Sequence, residues 1–145
     1  MFHCILVPID GSDAARHALE RAIALARDQG AGLRIIHVVD IGPIYWAVPA
    51  GVDAAAVEQA LLQAGQELVA AGADQARRAG VPVETAVRET DDRRISDVIV
   101  DEARQQGADL IVMGTHGRHG LARLFLGSVA DGVVRSAPVP VMLVR

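Results

Sequence analysis

Runs of branched apolar residues recur along the chain at CILVPID (Cys4 to Asp10), LRIIHVV (Leu33 to Val39), VPVETAV (Val81 to Val87), DLIVMG (Asp109 to Gly114) and VPVMLV (Val139 to Val144). Four of these are almost continuously apolar, the pattern of strands buried on both faces. The third alternates Val81, Val83, Thr85 and Val87 with Pro82, Glu84 and Ala86, which predicts an edge strand. Between the strands the period changes to that of a helix. Asp13 to Gln29 carries Ala15, Ala18, Leu19, Ala22, Ile23 and Ala26 on one face, with Ser12 as predicted N-cap and Gly30 as C-cap. A second helix is predicted from about Asp53 to Ala79, with Val57, Leu61, Leu68 and Ala71 along one face, and a third from about Asp92 to Gln106, with Ile95, Val98, Ile99 and Ala103. Gly80 and Gly107 end them, and a fourth helix opens near Ser128 and stops by Ser136, ahead of Pro138 and Pro140.

This alternation predicts an α/β fold. One domain, residues 1–145, holds a doubly wound, five-stranded, mostly parallel sheet with helices on both faces, right-handed crossovers and a ligand crevice beyond the carboxyl ends of the strands. The longest irregular stretch is predicted to be DIGPIYWAVPAG, Asp40 to Gly51, which contains the only Tyr and the only Trp. Packing of Tyr45 and Trp46 over the sheet edge, cover for a ligand and contact with a partner are the three uses considered for them.

Composition narrows the chemistry. A formal charge of −4 does not suit a broad nucleic-acid footprint. A single cysteine, Cys4, excludes an intrachain disulfide and a CxxC centre and fits a reducing cytoplasm. No basic leader precedes the first strand and no apolar run approaches the ~20 residues of a membrane span, so the expectation is a soluble cytoplasmic protein. All 14 basic residues are arginine. The absence of lysine removes a P-loop lysine, a kinase-type lysine and any Schiff-base chemistry. A bound phosphate would therefore rest on main-chain N–H groups, arginine or a metal ion.

Three segments converge at the predicted carboxyl edge: PIDGS after the first strand, HVVD after the second, and VMGTHGRHGLARLFLGSVADGVV around the fourth. In the last, Gly114 and Gly117 lie three apart and Gly127 ten further on, where Ser128 opens a helix. Close backbone approach and a helix N-terminus suit an anion. Asp10 has two readings, ligand contact or a turn and cap signal before the first helix. Arg118 and Arg123 are the cations of the loop, facing phosphate or solvent. His116 and His119 form an H-x-x-H pair without a further clear ligand, a poor closed zinc site. His3 and His37 fall in strand patterns, and Cys4 in a strand is expected to be an inert hydrophobe.

Gly114, Gly117, Gly127 and Ser128 reproduce G-x2-G-x9-G-[ST], and with ILVPIDGS, HVVD and LGSVADGVVRSAPVPVMLVR the chain resembles the ATP-binding branch of the universal stress protein family over nearly its whole length. The resemblance implies ATP as ligand, accompanied by Mg²⁺ or Mn²⁺. It places Val38 and Val39 at the base, and lines the pocket with Pro8, Ile9 and Asp10, Asp10 toward the ribose or a metal-bound water. It assigns Met113 and Gly114 to the nucleoside, Gly117 to the ribose and phosphate side, and Gly127, Ser128 and Val129 to the phosphates through main-chain N–H groups and a hydroxyl. It also implies a homodimer through the last strand, Val139 to Val144, and a nucleotide-dependent role in stress response or signalling. One stretch departs from the family pattern: RETDDRRI, Arg88 to Ile95, whose charges suggest a solvated loop with Asp91 or Asp92 capping the third helix.

No serine lies in a G-x-S-x-G elbow and no triad is evident, so a binding protein is expected. A weak metal-dependent ATPase is the enzyme alternative, and a nucleotide-free dimeric interaction module the other. A receiver-like domain would need a lysine the chain lacks.

Overall fold

A computed structural model describes residues 1–116 and 126–145. The elements run β1 (Cys4–Pro8), α1 (Asp13–Gln29), β2 (Gly32–Val39), α2 (Gly42–Ala47), α3 (Ala54–Arg78), β3 (Val83–Glu89), α4 (Ile95–Gln105), β4 (Leu110–Gly114), α5 (Ser128–Ser136) and β5 (Val141–Val144). The strands form one sheet in the order β3-β2-β1-β4-β5, every pair parallel. From β1 the chain winds outward through β2 to β3, then crosses back to β4 on the other side. The winding thus reverses between β1 and β4, where doubly wound sheets open a crevice.

Strand alternation divides the core into two layers. Ile5, Val7, Leu33, Ile35, Leu110 and Val112 face Ala18, Leu19, Ala22 and Ala26 of α1 and Val69 and Ala76 of α3. Leu6, Ile36, Ile111 and Met113 face Ile99, Val100 and Ala103 of α4 and Ala130 and Val133 of α5. Small residues on the helices bring them close to a sheet of larger branched ones. In α3, Gly72 has Leu19 and Ile35 where a Cβ would stand, at 3.2 and 3.4 Å. In α5, a Cβ on Gly132 would lie 2.5 Å from the Ser96 hydroxyl oxygen and 2.7 Å from its Cβ, so this glycine sets how closely α5 meets α4.

The predicted elements are present, with local differences. In α3 the buried face is Gly65, Val69, Gly72, Ala73 and Ala76 rather than Val57, Leu61, Leu68 and Ala71: Leu61 and Ala71 are exposed, because the helix meets the sheet through its smallest residues. The third strand begins at Val83, because Val81 instead donates its N–H to Ala76 at 3.0 Å and closes the end of α3. The third of the four predicted helices, α4, begins at Ile95. Asp91 and Asp92 do not cap it: both adopt positive φ, 46° and 63°, and Arg94 is the N-cap, without a side-chain cap bond. The fifth strand starts two residues late, after Pro140, which has no N–H to give a ladder. The stretch after β2 contains one helical turn, α2, with Pro43 near its start and Ile44 buried. Tyr45 and Trp46 do not pack over the sheet edge; they are 59% and 88% exposed.

Arg88, expected in a solvated loop, lies on β3 and joins a charged cluster. Glu102 of α4 is 3% exposed and accepts from Arg34 Nε and Nη2 at 3.0 and 2.8 Å and from Arg88 Nε at 2.9 Å. Arg34 also reaches Glu84, its register partner on β3, at 3.0 Å. The cluster fastens β2, β3 and α4 together. Burial pushes the Glu102 carboxyl up, but the hydrogen bonds and charges of Arg88 and Arg34 outweigh it and hold it below the usual carboxylate range. A carboxyl depressed in the folded state stabilises above its unfolded pKa of about 4.3, and that contribution is lost as pH falls through the folded value. Glu102→Gln, which leaves the largely buried Arg34 only the exposed carboxylate of Glu84 as a counter-charge and takes the partner of Arg88, is expected to cost roughly 3 kcal/mol at neutral pH. In urea unfolding across a pH series, the gap between the native chain and the variant should be full above about pH 4.3 and shrink toward zero in more acid solution.

Candidate functional site

The ends of β1 and β4 lie side by side at the reversal point. After β1, the Ile9 N–H donates to Ile36 at 2.8 Å and the Ile9 carbonyl accepts from His37 Nδ1 at 2.7 Å, which holds the main chain on course for Asp10. The Asp10 Oδ1 accepts from the Ser12 N–H at 2.9 Å, and the Ser12 hydroxyl accepts from the Ala15 N–H at 3.2 Å. Asp10 therefore makes the turn and cap contact, with Oδ2 left over for another partner. Pro8 is half-buried, and the side chains of Ile9, Val39 and Met113 are packed in the core. Any contact those three make with a ligand is confined to their main chain.

Pairing of β1 with β2 ends at Pro8↔Ile36, whereas β2 pairs with β3 as far as Val39↔Glu89. The last residues of β2 thus project beyond β1. Val38 has the parity of Ile36, which bonds toward β1, so its main-chain groups point past the end of that ladder. The Val39 carbonyl, in contrast, accepts from the Thr90 N–H at 3.1 Å.

At the end of β4, Gly114 pairs with Val144 of β5. A Cβ here would stand 2.8 Å from both the carbonyl carbon and the Cβ of Ala14 and 3.0 Å from the Ala15 nitrogen. The first motif glycine is what admits the start of α1 against β4. Thr115 follows, a residue that sequence reasoning passed over. Its N–H donates to Val144 at 2.9 Å and its carbonyl accepts from the Gly127 N–H at 2.8 Å. That second bond brings the start of α5 to the mouth of β4.

Gly127, expected to offer its N–H to phosphate, thus spends it on Thr115. It is the N-cap of α5, with φ −61° and ψ 153°, and a glycine has no side chain to cap with. The first turn of α5 therefore exposes donors beginning with Ser128 and Val129, the earliest intrahelical bond being Asp131 N–H to Gly127 at 2.9 Å. Both helix starts at this edge have an acid in the first turn, Asp13 in α1 and Asp131 in α5, the latter paired with Arg135 at 2.9 Å. They differ in that α1 carries a side-chain cap, while α5 has neither a capping side chain nor a bond to its leading N–H groups among the described residues. Its positive dipole end is the better anion seat.

Gly117 lies outside the described residues, as do Arg118, His119, Gly120 and Arg123. His116 Nδ1 lies 2.8 Å from the Thr115 hydroxyl. His3 is exposed and paired with Asp109 at 3.1 Å. Burial pushes the Asp109 carboxyl up, but the N–H groups of His3 and Cys4 and the His3 ring bring it below the usual value. The Cys4 thiol is raised by burial and then by the charges of Asp109 and Glu84, which disfavours the thiolate. Among the described residues no cluster of three or more His, Cys, Asp or Glu could hold a metal ion, and no helix is long and apolar enough to cross a membrane.

Sequence and fold place the chain among known proteins. The model of the universal stress protein family matches residues 1–145. The chain belongs to the universal stress protein family. A universal stress protein of Methanocaldococcus jannaschii is 36% identical over 145 residues, which span 100% of this chain and 83% of that protein. A solved universal stress protein from Burkholderia pseudomallei superposes with a TM-score of 0.78 at 31% identity, covering 97% of this chain and 94% of that one. A universal stress protein solved in complex with cAMP gives a TM-score of 0.69 at 26% identity, covering 99% and 97%. The parallel sheet and two-layer packing found here are those of the universal stress protein fold.

Gly114→Ala should expose how much of the glycine motif is architectural. The added methyl meets backbone atoms of α1, so the variant is expected to lose about 1–3 kcal/mol in denaturant unfolding. An unchanged midpoint would show that α1 yields without cost.

Proposed function

We propose that this universal stress protein binds ATP at the reversal point, as a nucleotide-dependent binding module in stress response or signalling. One observation carries the reading. The Thr115 to Gly127 bond holds an uncapped helix start beside the ends of β1 and β4, where Asp10 and Val38 also present unused polar groups. The Val38 main chain suits the edge of an adenine, the Ser128 and Val129 N–H groups with the Ser128 hydroxyl suit phosphate, and Gly127 lets phosphate approach. Pro8, Ile9, Met113 and Gly114 shape the space between, with Gly117 on the ribose side. The cAMP complex of a similar protein supports an adenine nucleotide as the ligand class.

Mg²⁺ or Mn²⁺ fits such a site through one carboxylate, since these ions take most of their ligands from phosphate oxygens and water. Asp10 Oδ2 is the group that would hold it, and the ion would neutralise triphosphate charge in a chain without lysine. No nucleophile or base is arrayed among the described site residues, so binding rather than hydrolysis is the proposed activity.

Nucleotide binding is tested by thermal unfolding with ATP, AMP and cAMP. ATP at a hundred times its Kd should stabilise by about 2.7 kcal/mol. For a chain of this size that is a rise in Tm of roughly 5–10 °C. No rise at millimolar nucleotide sinks the proposal. Gly127→Val keeps an allowed backbone but adds bulk at the helix start, and should weaken ATP at least about tenfold without lowering the Tm of the nucleotide-free protein by more than a few degrees. Ser128→Ala, losing one hydrogen bond of about 1 kcal/mol, should weaken it roughly fivefold.

The outer edge of β5 is the second proposed interface. Among the described residues β5 pairs only with β4, and Met142 and Leu143 on it are 40% and 37% exposed. An apolar strand edge of this kind is commonly covered, and a second copy pairing through Val139 to Val144 would cover it. Light scattering at micromolar concentration should give the mass of a dimer, and Leu143→Glu the mass of a monomer. A native monomer would overturn this assignment. Such an assembly, acting in the cytoplasm, completes the proposed role.

A further inference from the structure

A second groove is lined by none of the residues assigned to the nucleotide. Ile41, Gly42, Tyr45 and Trp46 of the α2 segment form one wall, Asp91 and Asp92 the other, enclosing about 320 Å³. Both walls are fixed by Thr90, which is 1% exposed: its hydroxyl donates to Asp40 Oδ1 at 3.1 Å and accepts from the Ile41 N–H at 3.3 Å. The Thr90 carbonyl accepts from the Arg93 N–H at 2.9 Å, closing the turn on which Asp91 and Asp92 sit. Tyr45 is oriented in turn by its hydroxyl, which donates to Glu58 of α3. The groove is therefore preformed, and its most prominent member, Trp46, is left to solvent.

The charged residues that line it have one sign. Asp91 and Asp92 take part in no salt bridge among the described residues, and Glu58 bonds Tyr45. Of the arginines that flank the turn, Arg88 bonds Glu102 and Arg93 bonds Asp101 of α4, while Arg94 is exposed at the N-cap of α4 and does not line the groove. An exposed indole beside two unpaired carboxylates matches a guanidinium, which can stack on the ring face while its N–H fork meets carboxylate oxygens. Exposed tryptophan and tyrosine are also the residues on which protein interfaces concentrate their affinity.

We propose that the groove between α2 and the Asp91–Asp92 turn is a docking site for an arginine-bearing basic segment of a partner protein. Trp46 is the only tryptophan of the chain, so its emission reports the site directly. Titration of the full chain at low ionic strength with an alternating Arg-Gly hexapeptide should change that emission saturably, and added salt should weaken the binding. A matched peptide with Glu in place of Arg should give no change. Asp91→Asn combined with Asp92→Asn keeps residues that tolerate positive φ and should weaken the Arg peptide at least about tenfold. ATP binding, measured in parallel, should be unaffected, which separates failure here from failure of the nucleotide site. The proposal is overturned if Trp46 emission shows no saturable change up to millimolar peptide, or if the double Asn variant binds as tightly as the native chain. It is also overturned if Trp46→Ala shifts the sedimentation coefficient toward a smaller species, since the groove would then be a contact between copies.

Discussion

The arrangement at the carboxyl edge hangs on the main chain of Thr115. Its N–H holds the end of β5 and its carbonyl holds the N–H of Gly127, so one residue ties β4, the last strand and the start of α5. Without the second bond, the first turn of α5 would have no fixed relation to the ends of β1 and β4. Spacing in the motif is thus a condition of closure as much as of recognition: the chain must leave β4, return, and present a glycine at the hydrogen-bonding position.

Charge is organised by the same economy. With no lysine, every basic side chain is a planar guanidinium suited to forked contacts. Arg34 and Arg88 use theirs on Glu102, binding β2 and β3 to the helix that carries the chain back across the sheet. That crossover creates the reversal point. The ion cluster lies on the α4 side of β2 and β3, so among the described residues it fixes the scaffold and leaves the proposed anion seat to main-chain donors. Main-chain donors do not change charge with pH, and they favour phosphate without adding a mobile cation.

Much of the fold could be read from periodicity because the strands, α1 and α4 obey their periods cleanly, whereas α3 buries glycine and alanine beside Val69 and so hid its inner face from a hydrophobic pattern. The edge position of β3 followed from the alternation of Val83, Thr85 and Val87, and α1 from its alanine stripe and Ser12 cap. What escaped was short or long-range. A single turn such as α2 is too brief to show a period. Arg88, Glu102 and Arg34 come from three elements, and their partnership is invisible to local pattern. In the charged run from Arg88 to Arg94 the one uncharged residue, Thr90, turned out to be the buried one, a signal that was there to be used. The site residues were legible as positions but not as roles: Gly127 was recognisable, yet the use of its N–H depended on Thr115.

The glycines show why a motif and a mechanism are different kinds of statement. Gly114 is required by the atoms of Ala14 and Ala15, at separations no side chain could share, whether or not a ligand is present. Gly127 has an ordinary extended backbone that any residue could adopt, so its conformation does not require a glycine. Two members of one sequence pattern thus answer to different constraints. The first brings α1 close enough to form the crevice wall. The backbone of Gly127 gives no conformational reason for a glycine, and a free approach to the donors of Ser128 and Val129 is the reason the proposed site supplies.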